Sequence, residues 1–147
     1  MSTNFNNCLF IDTNILVYAY DLSAGDKRKV AALLVEECWE GGNGCLSIQI
    51  LQEFYVSVTK EIAYPLNYQT ARQIVADLSH WRLHTPESRD VLQAIDLQQS
   101  YQLSFWDAMV LQSAVRLGCK RLFSEDLGHG QIYSGVQVIN PFLGDGR

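Results

Sequence analysis

The sequence carries little positive charge. Lys and Arg total 11 residues against 16 Asp and Glu, and the formal net charge is −5. A domain that reads DNA through a broad basic face would show the opposite excess, so that class of protein is disfavoured. An enzyme that acts on nucleic acid is not excluded, because its site can itself be acidic and be neutralised by metal ions.

Long apolar runs and paired cysteine motifs are also missing. No apolar run reaches the length that a membrane span needs, and the amino-terminal residues MSTNFNN lack the features of a secretory signal. The 4 cysteines form no C-x-x-C pair, which argues against a zinc knuckle or a redox motif. We therefore expect a cytoplasmic protein with buried free thiols.

Short apolar segments alternate with segments of helical periodicity. The pattern predicts strands over 8–11, 45–48, 82–85, 120–124 and 136–139, and helices over 13–20, 26–39, 49–61, 67–80, 87–101 and 104–118. In the second helix, Val30, Leu33, Leu34 and Cys38 are expected to face the core. The alternation predicts one α/β domain over residues 1–147, with a mainly parallel sheet of about five short strands and helices on both faces.

Two acidic residues come directly after predicted strands. Asp12 ends the apolar run Cys8–Ile11, and Asp126 follows the strand over 120–124. Taken singly, Asp12 has a structural explanation as the N-cap of the next helix, and Asp126 has one as a turn residue beside Glu125. In a doubly wound sheet, however, ligands bind at the carboxyl ends of strands, where these residues lie.

Two further acids lie on helix faces that are expected to pack. Glu53 shares its face with Ile50 and Val56, and no basic residue stands at helical spacing to pair with it. Asp107 fits a capping box that starts at Ser104, yet it shares a face with apolar residues that must be buried. A buried carboxylate without a partner is costly, so it needs hydrogen-bond donors, a cation or a proton.

These four acids can converge on one crevice of such a sheet. Clustered carboxylates repel one another unless cations lie among them, and ligand sets of oxygen alone favour Mg²⁺ or Mn²⁺ over zinc. Such a cluster suits phosphodiester hydrolysis, because the metal activates water and neutralises developing charge.

Four segments resemble the motifs of one known family, the PIN-domain ribonucleases, and in particular its VapC-like toxins. They read FIDTNILVYAYD, LQEFY, FWDAM and LFSEDLGHGQ, and they occur in the family's order over about residues 8–140. The resemblance implies that Asp12, Glu53, Asp107 and Asp126 are the catalytic, metal-binding acids, with Asp12 and Asp107 as direct ligands. Thr13, Asn14 and Ser124 would then support the carboxylates or a water molecule.

The resemblance also implies partners. Members of the family cut RNA with Mg²⁺ or Mn²⁺, are inhibited by a small antitoxin protein encoded beside them, and commonly form homodimers. The apolar helix over 67–80 is a candidate dimer interface, and Lys27, Arg28, Lys120 and Arg121 are candidate RNA contacts that a solvated surface explains equally well.

Four alternatives stay open from the residues themselves. Glu125, beside Asp126, could be the metal ligand in its place, although the Ser-x-Asp spacing favours Asp126. Trp106 is expected to pack in the core, although it could stack on an RNA base. An aspartyl-phosphate phosphatase would also place an aspartate after strand one, but it needs an acid where Asn14 stands. A non-catalytic module that binds RNA or protein is the remaining alternative.

Overall fold

The computed structural model describes residues 7–143, and the outer parts of the predicted 1–147 domain lie outside this range. Its sheet has six strands in the order β3-β2-β1-β4-β6-β5. The strands are β1 Leu9–Ile11, β2 Gly44–Ser47, β3 Arg82–His84, β4 Arg121–Phe123, β5 Ile132–Tyr133 and β6 Val136–Ile139. All neighbouring strands are parallel except β5 and β6. The predicted α/β fold with a mainly parallel sheet is confirmed.

The order of the strands reverses next to β1. The chain adds β2 and β3 on one side of β1, and it then returns to add β4 and β6 on the other side. Phe10 of β1 is therefore in register with Cys45 of β2 and with Leu122 of β4. This reversal makes the carboxyl ends of β1 and β4 the topological switch point, where α/β domains place their ligands.

Helices cover the sheet and begin at defined caps. They are α1 Thr13–Tyr20, α2 Asp26–Gly41, α3 Ile48–Val56, α4 Tyr68–Leu78, α5 Ser88–Tyr101 and α6 Phe105–Arg116, and a π-helical turn over Ser57–Glu61 extends α3. The side chains of Asp12, Ser47, Asn67 and Ser104 each accept a hydrogen bond from a backbone N–H in the first turn of the helix that follows. Polar residues thus define where four of the helices start.

The structure corrects the predicted packing of α2 and α3. Leu33 is 61% exposed and Val56 is 47% exposed. The buried line of α2 is Ala31, Leu34, Val35 and Cys38, at the i, i+3, i+4 and i+7 spacing of one helical face. Leu33 lies about 100° away from Leu34 around the helix axis, which turns it towards solvent.

A sixth strand, absent from the prediction, closes the edge of the sheet. The two-residue turn Ser134–Gly135 has positive φ at both positions, which matches the right-handed twist of a tight hairpin and pairs β5 with β6. The strand has only two residues, too few for a periodic signal. The Ser-Gly pair was the available sequence signal.

The core is continuous across β1, β2 and β4. Phe10, Ile11, Leu46 and Leu122 are fully buried, and the predicted free, buried thiols are confirmed at Cys8, Cys38, Cys45 and Cys119. Within residues 7–143, none of the helices combines the length and the apolar character needed to cross a membrane.

Candidate active site

Asp12 lies directly after β1 and is held on several sides. Its Oδ1 accepts the backbone N–H of Thr13 at 2.7 Å, and its Oδ2 accepts the hydroxyl of Ser124 at 2.7 Å. Its own backbone N–H donates to the Phe123 carbonyl at 2.9 Å, and the carboxylate side chain is buried. Asp12 is therefore both the predicted helix cap and a fixed acid between the two central strands.

Ser124 connects Asp12 to Asp126. The Ser124 Oγ accepts the backbone N–H of Asp126 at 3.1 Å while its hydroxyl donates to Asp12. The Asn14 amide donates to Asp126 Oδ2 at 2.8 Å. Asn14 therefore orients an acid and offers no titratable proton, which argues against the phosphatase alternative.

Glu53 reaches the same region from α3. Its Oε1 accepts the Thr13 hydroxyl at 2.6 Å, and its Oε2 accepts the Gln49 amide at 3.2 Å. Gln49 Nε2 also lies 3.4 Å from the Trp106 carbonyl, at the start of α6. Residues 40 positions apart are thus joined by a side-chain hydrogen bond between Thr13 and Glu53.

Asp107 completes the set from the first turn of α6. Its backbone N–H donates to Ser104 Oγ at 3.1 Å, as the capping prediction requires. The predicted apolar face behind it is confirmed, because Val110, Leu111 and Ala114 are buried. That face presses α6 onto the sheet and leaves the half-buried Asp107 side chain at the rim of the cleft.

All four predicted acids line one cleft of about 640 Å³. Besides these acids, its lining includes Thr13, Asn14, Val17, Tyr18, Gln49, Trp106 and Val110. Ser57, Glu61 and Ile62, in and after the π-helical turn, form another part of the wall. No lysine or arginine within residues 7–143 lines the cleft.

The electrostatics of the cleft favour a cation. Burial is the main cause that raises the pKa of Asp12 from 3.8 to about 7, with the nearby Asp126 and Asp107 contributing in the same direction, although the Ser124 and Thr13 hydrogen bonds oppose it. Burial likewise raises the pKa of Asp107, assisted by Asp126 and Glu53. The carboxyl groups of Asp12 and Asp107 therefore take up protons more readily than usual, and a cation in the cleft would favour their ionised forms.

The donor set fits a hard divalent ion. It consists of carboxylate oxygens, and the nearby Gln49 Oε1 is a buried amide oxygen without a hydrogen-bond partner among the described residues. No three of these four acids bring ligand oxygens all within 4.8 Å of one another. A Mg²⁺ site does not need a tighter cluster, because this ion retains several water ligands and takes only one or two carboxylates directly.

Glu125 is separated from the acid cluster by its own partners. Its Oε1 accepts the Tyr18 hydroxyl at 2.7 Å, and its Oε2 pairs with the Lys27 ammonium. The Lys27 Nζ also lies 5.0 Å from the centre of the Tyr18 ring. Burial alone would raise the pKa of Glu125, but Lys27 and Tyr18 outweigh it and hold that pKa below its ordinary value. Of the two neighbouring acids, Asp126 is the one that lines the cleft.

The predicted RNA-contacting residues lie outside the cleft. Lys27 is engaged with Glu125, and Arg28 is exposed on the same helix. Lys120 precedes β4 and Arg121 is its first residue, whereas Ser124 and Asp126 follow its end. Lys120 and Arg121 therefore lie at the amino end of β4, whereas the acids lie at the carboxyl ends of the strands.

Trp106 is not a core residue, so the prediction that it packs inside is wrong. It is 61% exposed, touches Phe105 edge to face with 5.1 Å between ring centres, and lines the cleft. Position 106 lies in the first turn of α6, where Ala108 and Val110 take the inward face. The structure leaves an aromatic face beside the acids.

Sequence reasoning missed Gln49, Tyr18 and the role of Glu125. Gln49 stands four residues before Glu53 on α3, so helical spacing was its available signal. Tyr18 and Glu125 are 107 residues apart and carried no comparable signal.

Fold and site together define the class of this protein: a doubly wound α/β domain with an acidic cleft at its topological switch point. The sequence profile of the PIN domain family matches residues 9–134, so the chain belongs to the PIN domain family. A comparison with curated protein sequences found no match.

Solved structures share this fold at low sequence identity. A toxin–antitoxin complex from Klebsiella pneumoniae contains a chain with 21% identity and a TM-score of 0.68, covering 92% of this chain and 98% of that one. Mycobacterium tuberculosis VapC20, described as a sarcin-ricin loop cleaving toxin, has 17% identity and a TM-score of 0.60, covering 80% and 91%. DNA-bound VapBC from Salmonella typhimurium has 14% identity and a TM-score of 0.61, covering 90% and 96%.

Proposed function

We propose that this PIN-domain protein is a metal-dependent endoribonuclease that hydrolyses RNA phosphodiester bonds, and that it is the toxin of a toxin–antitoxin pair acting in the cytoplasm. The observation that carries the proposal is the convergence of Asp12, Glu53, Asp107 and Asp126 on one cleft that no basic side chain of the described residues lines. The resemblance of the fold to toxin structures supports the biological role.

The four acids would hold one or two Mg²⁺ or Mn²⁺ ions, with Asp12 and Asp107 as direct ligands. A bound ion lowers the pKa of a water molecule and offsets charge on the phosphoryl oxygens. The chain's own residues orient the carboxylates: Ser124 fixes Asp12, Thr13 fixes Glu53, and Asn14 fixes Asp126. Rigid placement of this kind is what a productive site requires.

We also propose a small antitoxin and a second copy of the chain as partners. Structures with this fold are described as toxin–antitoxin complexes, which supports the first. The exposed aromatic side chains of Tyr55 and Tyr68, on α3 and α4, support the second, because they surround an apolar groove that a homodimer could cover.

The direct test is RNA cleavage by the purified protein, with single-stranded and structured RNA as substrates. Cleavage is expected with Mg²⁺ or Mn²⁺ and should stop when the ions are chelated, because the part of the cleft formed by the described residues offers carboxylates and no histidine, lysine or arginine. Cleavage that continues at full rate in chelator would rule out metal dependence. Metal-dependent RNA binding without cleavage would favour the non-catalytic alternative.

Neighbouring acids give a matched pair of variants. Asp126→Asn is expected to reduce kcat/KM at least about tenfold, as loss of a group that holds or orients a metal does. Glu125→Gln should change it by less than about fivefold, because Glu125 belongs to a partly exposed ion pair with Lys27. Initial rates at saturating Mg²⁺ measure both.

The same pair separates charge from position. Both substitutions remove one negative charge from adjacent residues, so a general electrostatic effect would lower both rates alike. If Glu125→Gln proved the more damaging variant, Glu125 would replace Asp126 in the proposed metal set.

Trp106 is expected to bind an RNA base by stacking. Trp106→Ala should raise KM about fivefold or more while leaving kcat nearly unchanged, because base–aromatic stacking contributes about 1–3 kcal/mol per base. Trp39→Ala is the control, since Trp39 is 44% exposed but does not line the cleft. A purely structural role would instead lower the melting temperature of Trp106→Ala without this selective change in KM.

A further inference from the structure

Three cysteines converge at the amino ends of β1, β2 and β4, whereas the acids lie at the carboxyl ends of the strands. Cys8 precedes β1, Cys45 is the second residue of β2, and Cys119 lies between α6 and β4. Their sulfur atoms all lie within 4.8 Å of one another, and the three residues are 0–3% exposed. The proposed function uses none of them.

The sulfur positions match the needs of a trithiolate metal site. Thiolate ligands bind zinc at about 2.3 Å, so three of them around one ion lie roughly 3.8–4.0 Å apart. Side-chain adjustments of less than about 1 Å would bring the sulfur atoms to that spacing. Thiolates select soft ions such as Zn²⁺ and Cu⁺ and disfavour Mg²⁺.

Arg82 places a positive charge beside the cysteines. Its Nη1 lies 3.3 Å from Cys8 Sγ, and Arg82 is in register with Cys45 on the neighbouring strand. Three thiolates around a divalent ion carry a net charge of −1, which a guanidinium at this distance would offset. A buried thiolate cluster without such a cation would be much more costly.

We propose that Cys8, Cys45 and Cys119 form a binding site for one thiophilic d¹⁰ cation, Zn²⁺ or Cu⁺. The ion would join β1, β2 and the turn before β4 at the amino ends of these strands. It would be separate from the cleft ions in position and in ligand chemistry. The site therefore stands or falls independently of the proposed ribonuclease activity.

Spectroscopic titration of the reduced, metal-free full chain tests the proposal. Co²⁺ serves as the probe for the Zn²⁺ arm, because sulfur-to-cobalt charge transfer absorbs in the near ultraviolet whereas carboxylate ligands give no such band. We expect one Co²⁺ per chain with this band, and its loss when one equivalent of Zn²⁺ is added. A parallel arm measures Cu⁺ by competition with a chromophoric chelator, which tells the two ions apart.

Cysteine variants locate the site. Cys8→Ser and Cys45→Ser are expected to weaken binding by about 100-fold or more, since each removes a ligand. Cys38→Ser is the matched control: Cys38 is 1% exposed, burial raises its thiol pKa to about 12, and it lies outside the trio. Its affinity should equal that of the wild type. Arg82→Gln should weaken binding about tenfold, as loss of a group next to the ligands does.

Several results would overturn the proposal. They are the absence of a charge-transfer band in the wild type, a band that survives Cys8→Ser, or a band lost equally in Cys38→Ser. Far-ultraviolet circular dichroism establishes that each variant is folded. If Cys45→Ser does not fold, the wild-type stoichiometry and the Cys8→Ser titration still decide the question. Asp12→Asn should leave the band intact, which excludes the acidic cleft as its origin.

Discussion

Replacing Asp12 with asparagine is expected to abolish RNA cleavage and, at the same time, to raise the melting temperature of the metal-free protein. The loss in kcat/KM should be about 1,000-fold or more, since a catalytic metal contributes several kcal/mol to the transition state. The gain in stability follows because Asp12 is a buried carboxylate whose charge the fold disfavours. Asparagine keeps an oxygen for the Thr13 N–H and removes that charge.

The stability gained in Asp12→Asn should depend on pH. The pKa of Asp12 is raised to about 7 in the folded, metal-free protein, whereas the unfolded chain titrates near its ordinary 3.8. The folded state therefore holds its proton more tightly, and the contribution of Asp12 to stability falls as pH rises from about 4 to about 7. Asp12→Asn lacks this fall, so its advantage should grow over that range and then level off.

Thermal unfolding with and without Mg²⁺ measures the effect. Mg²⁺ should stabilise the wild type by binding the folded state, and it should stabilise Asp12→Asn much less. Asp96→Asn, which removes an exposed carboxylate on α5, is the control. It should change neither the melting temperature nor the stabilisation by Mg²⁺. If Asp12→Asn cleaved RNA at the wild-type rate, Asp12 would serve only as the cap of α1.

Asp90→Ala is expected to destabilise the protein by about 3–5 kcal/mol, the cost of breaking a buried ionic network by removing one partner. Asp90 is fully buried, and its carboxylate accepts the Gln112 amide at 3.0 Å, the Arg116 guanidinium at 2.7 Å and the Glu87 backbone N–H at 2.8 Å. The substitution would leave these donors without their acceptor. Because Gln112 and Arg116 belong to α6, the helix that carries Asp107 should loosen as well.

His84 belongs to the same network and makes it sensitive to acid. Its Nδ1 lies 2.7 Å from Ser113 Oγ, and its Nε2 lies 3.2 Å from Asp90 Oδ2 without hydrogen-bond geometry. Burial, the largest influence, lowers the pKa of His84 although Asp90 opposes it. The ring is therefore neutral in the folded protein at neutral pH. Folding favours the neutral ring, so this contribution is lost as pH falls below the ordinary histidine value of about 6.5.

Asp90 also loses its contribution to folding stability in acid, but at a lower pH than His84. Burial alone would raise its pKa, but the Glu87 N–H, Gln112, His84 and Arg116 outweigh it and hold the pKa at about 2. Its contribution to stability is present above about pH 4 and is lost as the pH falls towards about 2. Chemical denaturation from pH 7 to pH 3 should show wild-type stability converging on that of Asp90→Ala. Asp96→Ala, on the same helix but exposed, should run parallel to the wild type; a parallel Asp90→Ala curve would contradict the assignment.

Three acids of the cleft could be predicted because each breaks a local rule, whereas Asp126 fits an ordinary turn and was indicated by the resemblance of LFSEDLGHGQ to a family motif. Asp12 interrupts a buried strand, and Glu53 and Asp107 share helix faces with residues that must pack, so the sequence itself shows the conflict. Trp106 could not be placed in this way. Its apolar character predicts burial, but the rotation of α6 about its axis relative to the sheet turns the Trp106 side chain outward.

Long-range partners lay beyond sequence reasoning for a different reason. Which strands are neighbours depends on the order in which the sheet is assembled, and local periodicity does not determine that order. The contact between Tyr18 and Glu125 requires β1 and β4 to be neighbours, and the trio of thiols requires β1, β2 and β4 to be positioned first. The His84–Asp90 network is completed by Gln112, Ser113 and Arg116, so it requires α6 to be in place. The scattered cysteines therefore gave no sign of a cluster.

The pairing of β1 with β4 has a consequence during synthesis on the ribosome. Asp12 and the hydroxyl of Ser124 that fixes it are separated by 112 positions in the chain. At translation rates of about 5–20 residues per second, roughly 6–22 s pass between their synthesis. A nascent chain therefore carries an incomplete acid set until nearly all of the domain has been made. The cleft of the proposed nuclease is therefore completed only near the end of synthesis, which limits cleavage of RNA by an unfinished chain.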